Sequence, residues 1–266
     1  IWVRYQKSTG NECIFISGDD AHGSAIMLSA QKNNVSAEEW VDKIREDHYA
    51  DLKGFNIDYD VFHTTRSSEN KKIVYEIYEN LKKENHFAIK NIKQLYDEKK
   101  EMFLPDRFIK GTCPKCKAKD QYGDHCEKCG STYDPIDLID VYSTLSNSKP
   151  VLRESEHVFF KLSEMQDVLD SWLHKSDLQD PVRNKLLEWF KSGLKDWDIS
   201  RDSPYFGFLI PGYENKYFYV WMDAPVGYLA GLLSYDLKNN KNLLDEIWKN
   251  KNTSWERHHF IGKDIV

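Results

Sequence analysis

No apolar run in the sequence approaches the roughly 18 residues that a membrane-spanning helix needs. The longest, such as 226–233, stops at about eight and contains glycine, so no membrane-spanning segment is expected. Basic charge is not in excess either: 37 Lys and Arg stand against 43 Asp and Glu, for a formal charge of −6. A generic nucleic-acid binder displays a basic face. Here the pairs Lys71-Lys72, Lys82-Lys83 and Lys99-Lys100 have Glu close by in sequence and read as solvated faces. Any RNA contact is expected to be local or to lie outside this chain. There is no phosphate loop, nucleophile elbow or dinucleotide fingerprint, and His22, His48, His63, His86, His125 and His157 are scattered without triad spacing. Internal repeats and low-complexity tracts are also missing.

An initiator Met is absent, as is a secretory n-region or h-region. The opening Ile-Trp-Val-Arg-Tyr-Gln-Lys reads as the last turns of a helix stopped near Gly10. At the other end, 255–261 reads as a strand running into Gly-Lys-Asp. The chain is therefore expected to be an internal fragment of a longer protein.

What is present is globular: 40% hydrophobic, 14% aromatic and 30% charged residues, which excludes a disordered or collagen-like chain. A chain of this length buries about three quarters of its unfolded surface and has no need of disulfides. Strand candidates at 12–17 and 59–63 alternate with helix candidates at 24–32, 36–54 and 68–85. Ser36-Ala37-Glu38-Glu39 supplies a capping box for the second helix. That alternation predicts an α/β fold with a parallel sheet. From 87 to 203 the pattern breaks into short strands, cysteine pairs and two amphipathic helices at 163–175 and 181–192. It resumes with strands at 205–210 and 216–222 and a helix at 226–235. The expected organisation is 1–86 as the first part of a sheet domain, 87–203 as an insertion, and 204–266 as the second part.

Four of the five cysteines form Cys113-Pro-Lys-Cys116 and Cys126-Glu-Lys-Cys129, nine residues apart. Two such turns make a tetrahedral thiolate cage for Zn²⁺, and four protein ligands leave no open position, so the site is expected to be structural. A loop poor in apolar residues gains about 10 kcal/mol from such a metal. The acidic, Lys-rich composition fits a reducing cytoplasm rather than disulfides. Cys13 lies in an apolar strand and reads as a small core residue.

In an open parallel sheet, ligands bind outside the carboxyl ends of the strands. Three such ends stand out. Asp19-Asp20-Ala21-His22-Gly23 offers an acidic pair for an ammonium, a metal or a helix cap. Tyr217 to Tyr228 is aromatic enough for Trp221 and Tyr228 to wall an apolar pocket floored by Ala224 and Pro225, or simply to pack in the core. In His259-Phe-Ile-Gly-Lys-Asp264, the glycine allows close approach of a nucleotide and the acid suits ribose hydroxyls.

Five stretches in series resemble the methionyl-tRNA synthetases: Phe15-Ile-Ser-Gly-Asp-Asp-Ala-His-Gly-Ser-Ala-Ile, the Gly111 to Gly130 knuckle, Trp197-Asp-Ile-Ser-Arg-Asp-Ser-Pro-Tyr-Phe-Gly, Tyr217-Phe-Tyr-Val-Trp-Met-Asp-Ala-Pro-Val-Gly-Tyr and His259-Phe-Ile-Gly-Lys-Asp-Ile. The resemblance covers essentially the whole chain. It implies a Rossmann-like catalytic domain split by a zinc-bearing connective peptide, which forms methionyl-adenylate from L-methionine and ATP with Mg and transfers methionine to tRNA-Met. By motif, it implies that Asp20 holds the methionine ammonium and that Trp221, Ala224, Pro225, Tyr228 and Ile265 line the side-chain pocket. It likewise places Arg201 by the reacting carboxylate and phosphates, puts Gly262 and Asp264 at the ribose, and makes Cys113, Cys116, Cys126 and Cys129 ligands of one zinc. His22 is assigned structural duty. The family's His-x-Gly-His motif and Lys-Met-Ser-Lys-Ser-type loop do not occur in these 266 residues, so they are not expected to activate methionine by themselves. Two alternatives remain at this point: a class I synthetase for isoleucine, valine or leucine, and a non-catalytic zinc-knuckle module that binds RNA or protein.

Overall fold

The structure, a computed structural model, describes residues 1–249 and 253–262. Helix α1 (Trp2–Ser8) leads to β1 (Ile16–Asp19), α2 (Ser24–Lys32), α3 (Ala37–Gly54), β2 (Val61–Thr64) and α4 (Ser68–Lys83). Strands β1 and β2 pair in parallel, from Ile16 opposite Val61 to Asp19 opposite Thr64. The anticipated capping box opens α3: the Glu39 N–H donates to Ser36 Oγ at 3.1 Å, and the Ser36 N–H donates to the Glu39 carboxylate at 2.9 Å. The first strand starts later than its apolar pattern suggests. Phe15 does accept N–H bonds from Asp60 and Val61, but its own N–H is taken by the Asp60 carboxylate at 2.7 Å, which keeps it outside the ladder.

Two glycines allow the close packing of this layer. A Cβ at Gly18 would lie 2.6 Å from the His63 carbonyl oxygen, and one at Gly231 would lie 2.5 Å from the Ile16 side chain.

The chain then enters an antiparallel region of β3 (Phe87–Asp97), β4 (Met102–Phe103), β5 (Ile109–Thr112), β6 (Gln121–Tyr122), β7 (Ile139–Ser143) and β8 (Val151–Phe160). β3 and β8 form a long ladder from Phe87 opposite Phe160 to Tyr96 opposite Val151. β6, β5 and β7 make a small sheet whose loops carry the cysteines. The β3–β4 and β7–β8 turns converge on Asp97. This residue is fully buried and accepts from the N–H groups of Lys99 and Lys100 and from the hydroxyl of Ser146 at 2.6 Å. Helices α5 (Gln166–Lys175) and α6 (Asp180–Ser192) follow, close to their expected positions, with a single 3₁₀ turn at Leu162–Met165 before the first.

Strands β9 (Trp197–Asp198), β10 (Ser200–Asp202) and β11 (Lys216–Phe218) return the chain to helices α7 (Val220–Asp223), α8 (Gly227–Asn239) and α9 (Leu243–Lys249). β9 adds to the edge of β8, and β10 pairs with β11. The result is a mixed α/β fold in which a parallel layer is interrupted by an antiparallel, cysteine-bearing insertion. Three strand expectations need correction. Residues 205–210 make no strand, only a bridge from Leu209 to Tyr217. β11 ends at Phe218, because Tyr219 donates its N–H to the Ile199 carbonyl and then accepts from Met222, turning the chain into α7. Residues 255–261 are not a strand; the described stretch has no ladder partner.

The main core joins both parts: Val74 and Tyr78 of α4 pack with Val158 of β8, Ile199, Phe208, Ile210 and Phe218. A second core, built on Leu95, Met102, Phe108 and Ile109, receives Met27 and Leu28 of α2. α2 begins directly after the Asp19–His22 loop, so that loop is held between the two cores.

Candidate active site at the strand ends

Asp19 ends β1, and its side chain is almost closed to solvent. One carboxylate oxygen meets His48 Nδ1 at 2.8 Å, while Arg45 approaches the other at 3.9 Å. The next residue, Asp20, is free of this pairing and turns into a cavity of about 540 Å³. Asp20 stays open to solvent through the cavity mouth, but protein walls it on the inner side. Burial and the nearby Asp223 carboxylate raise its pKa to about 6, against the pull of His22.

His22 lies behind Asp20. Its Nδ1 meets Asp223 Oδ2 at 2.6 Å with both side chains buried, and its ring stands edge-on to Phe206 and Phe208. Burial holds the Asp223 carboxyl above its ordinary range, although the His22 hydrogen bond opposes that. The Gly23 N–H donates to the Phe206 carbonyl at 2.9 Å, and Asn70 donates to the Asp223 carbonyl at 3.3 Å. The Asp19–Gly23 loop, α4 and the end of α7 are thereby bonded into one unit. His22, expected to have structural duty, is paired with Asp223 and also lines the cavity; its partner Asp223 carried no signal in the sequence beyond lying in the aromatic stretch.

Arg201, from β10, lines the same cavity. Its guanidinium lies 3.9 Å over the ring of Tyr219, donates to the Ser200 carbonyl at 2.6 Å and faces Asp198 at 3.6 Å. Trp221, on α7 and partly exposed, also lines this cavity, as do Asp106 and Arg107 from the insertion. An open carboxylate and a stacked guanidinium thus share one cavity with an indole. That set can take a ligand bearing both an ammonium and anionic oxygens.

The remaining candidates are not gathered here. Tyr228 lies one helix further on, lines a separate cavity of about 680 Å³ and stands edge-on to His259 at 6.5 Å. Ala224 and Pro225 form the turn between α7 and α8 and line neither cavity. Gly262 has open space where a Cβ would be. Asp264 and Ile265 lie outside the described residues.

The four cysteines of the two turns are unbridged, and all their sulfurs lie within 4.8 Å of one another. Cys116 and Cys126 sulfurs are 3.5 Å apart, and those of Cys113 and Cys129 are 4.0 Å apart. A tetrahedron with metal–sulfur bonds of ~2.3 Å has edges of roughly 3.8 Å, so the spacing fits. The Cys116 N–H points at Cys113 Sγ and the Cys129 N–H at Cys126 Sγ, as thiolates require. The cluster can hold a metal ion. Cys13, half-buried, stands apart from it.

Comparison with known proteins now places the molecule. Residues 1–266 match the family described as tRNA synthetases class I (M). The chain is 52% identical over all 266 residues to the methionine-tRNA ligase of Dichelobacter nodosus (strain VCS1703A), and it spans 39% of that protein's length. The methionyl-tRNA synthetase of Mycobacterium tuberculosis bound by methionyl-adenylate superposes with a TM-score of 0.66 at 20% identity, over 92% of this chain and 44% of the other. A second complex of that synthetase with methionyl-adenylate gives 0.64 at 19% identity, with the same coverage. The fold is thus that of a class I tRNA synthetase. Within that class the chain belongs to the M family. The match leaves the branched-chain synthetases and a stand-alone knuckle module without support.

Proposed function

We propose that this chain supplies the amino-acid activation site of a methionine-tRNA ligase. The observation that carries the proposal is the convergence of Asp20, Arg201 and Trp221 on one cavity whose walls are joined by the His22–Asp223 pair. In this reading, ionised Asp20 binds the ammonium of L-methionine. Trp221 covers its side chain, whereas Ala224, Pro225 and Tyr228 stand outside that cavity and are given no contact with it in this reading. A thioether makes favourable contacts with ring edges, which suits such a lining.

The methionine carboxylate oxygen attacks the α-phosphorus of ATP, the new C–O–P link forms, and the bond to the pyrophosphate oxygen breaks. Such a step needs positioning and charge stabilisation rather than a covalent intermediate on the protein. Arg201 supplies charge beside the reacting carboxylate and phosphates, held in aim by Tyr219 beneath it. Gly262 and Asp264 receive the ribose, Mg accompanies ATP as part of the substrate, and tRNA-Met is the acceptor. Residues 1–86 and 204–266 form the catalytic domain, and 87–203 the insertion. Cys113, Cys116, Cys126 and Cys129 hold one structural Zn²⁺, in a cytoplasmic protein.

The test is methionine-dependent exchange of pyrophosphate into ATP by the full-length polypeptide containing these residues, alongside Arg201→Ala. Exchange that depends on methionine and falls at least a hundredfold in the variant is the expected result. Exchange driven by another amino acid, or none, overturns the reading.

A further inference from the structure

His157 sits within β8, 1% exposed, and does not line the cavity, yet it touches two residues that do. Its Nδ1 lies 2.7 Å from Asp198 Oδ2 and its Nε2 lies 2.9 Å from Asp202 Oδ2. Asp198 and Asp202 flank Arg201 in sequence. The other Asp198 oxygen, Oδ1, accepts from the Ser200 N–H at 3.0 Å and the Ser200 hydroxyl at 3.1 Å, so the carboxylate cannot turn. Oδ2 is therefore shared between His157 and the Arg201 guanidinium, 3.6 Å away.

We propose that His157 is a positioning residue for the activation step: a buried imidazolium between Asp198 and Asp202 that fixes the carboxylate against which Arg201 is set. The inference rests on the role of Arg201 given above.

Two consequences follow from this arrangement. The first is geometric, because a ring bonded to both carboxylates fixes Asp198, and with it the guanidinium set against that carboxylate. The second is electrostatic. The groups facing His157 are Asp198 on β9, Asp202 and Arg201 on β10 and Lys216 on β11, where Lys216 bonds to Asp202 and to Ser155. Across the ladder, β3 contributes the Gln94 side-chain amide, whose nitrogen lies 2.7 Å from Nε2 and 3.0 Å from the same Asp202 oxygen. A proton on Nε2 therefore requires this amide to turn its N–H away from the ring. β3 also brings the register partner Lys90, itself paired with Asp196. With His157 charged, Asp198 and Asp202 meet three cations, a surplus of one positive charge within this cluster, while Asp106, which lines the same cavity, is the further carboxylate acting on Arg201. With His157 neutral that surplus vanishes, and Asp198 is free to neutralise Arg201. Burial alone would strip the ring of its proton, but the bonds to Asp198 and Asp202 overcome this and raise its pKa above the ordinary 6.5.

The experiment compares wild type with His157→Gln in the full-length polypeptide, by methionine-dependent pyrophosphate exchange from pH 6 to 9. Wild-type kcat is expected to fall on the alkaline side as the ring loses its proton. His157→Gln is expected to lower kcat about tenfold, leave KM for methionine within twofold, and abolish that alkaline limb. An unchanged kcat, a retained limb, or a loss carried mainly by KM overturns the proposal. Far-UV circular dichroism and metal content establish that the variant is folded. If it is not, Asp198→Asn is read instead: a tenfold fall in kcat at constant KM is expected, and wild-type kcat overturns the proposal. If wild type shows no methionine-dependent exchange, the functional reading fails on its own. The ¹⁵N titration of the His157 ring then still decides the imidazolium: a midpoint above 6.5 supports it, and one at or below 6.5 overturns it.

Discussion

His22 Nδ1 and Asp223 Oδ2 meet at 2.6 Å across 201 residues of chain, and both side chains are all but closed to water. The pair joins the loop after β1 to the helix after β11, the two segments that bring Asp20 and Trp221 to one cavity. Removing one member of a buried pair leaves an uncompensated charge, at a cost of about 3–5 kcal/mol. His22→Ala is therefore expected to lower the thermal midpoint by on the order of 10 °C, as read by differential scanning calorimetry. A loss no larger than that of a surface substitution would mean that the pair does not hold the two segments.

Asp20 has its pKa raised to about 6, so it is ionised at pH 7.5 and loses its charge as pH falls through 6. Methionine binding, followed by isothermal titration calorimetry, is expected to weaken between pH 7.5 and pH 5. Asp20→Asn is expected to bind about 10- to 100-fold more weakly at pH 7.5, the weight of one charge-assisted hydrogen bond, with a flat profile over that range.

Asp202 behaves in the opposite way. Burial alone would raise its pKa, but bonds from His157, Lys216 and Ser155 bring it down to about 2. Its folded pKa lies below the unfolded one, so its stabilisation is present above about pH 4 and is lost as pH falls toward 2. Asp202→Asn is expected to cost on the order of 2 kcal/mol at pH 7 and much less near pH 2, measured by urea denaturation at both values.

The cysteine cage predicts a local rather than a global failure. Cys113→Ser, or a strong chelator, is expected to release one equivalent of zinc and expose amides of β5–β7 to hydrogen exchange. The α4–β11 core should retain its protection. Exchange unchanged around the cysteines would rule out a metal as the organiser of that sheet.

The sequence was most legible where one signal acted alone. The Ser36–Glu39 capping box, the two cysteine turns and the parallel order of β1 and β2 follow from residue type and spacing. It was least legible through the aromatic stretch 216–222, where apolar residues suit either a strand or a buried helix turn. There a tertiary bond, from the Tyr219 N–H to the Ile199 carbonyl, decides the outcome. The same blindness hid the partners: His157 was one of several scattered histidines, and only the fold brings Asp198 and Asp202 to its two nitrogens. Tyr219, under Arg201, was visible as an aromatic but not as a platform.

Gly18 and Gly231 leave β1 no clearance on the sides of β2 and α8, since a single methyl at either position would overlap a neighbouring atom. Asp20 is two residues beyond Gly18, so its location relative to Arg201 is inherited from that fit. An alanine at either glycine acts as a shim. It would displace the strand by a fraction of an ångström and carry the Asp20 carboxylate with it, without touching any side chain of the cavity. Activity lost in such a variant would report the tolerance to which the site is built, rather than the chemistry performed in it.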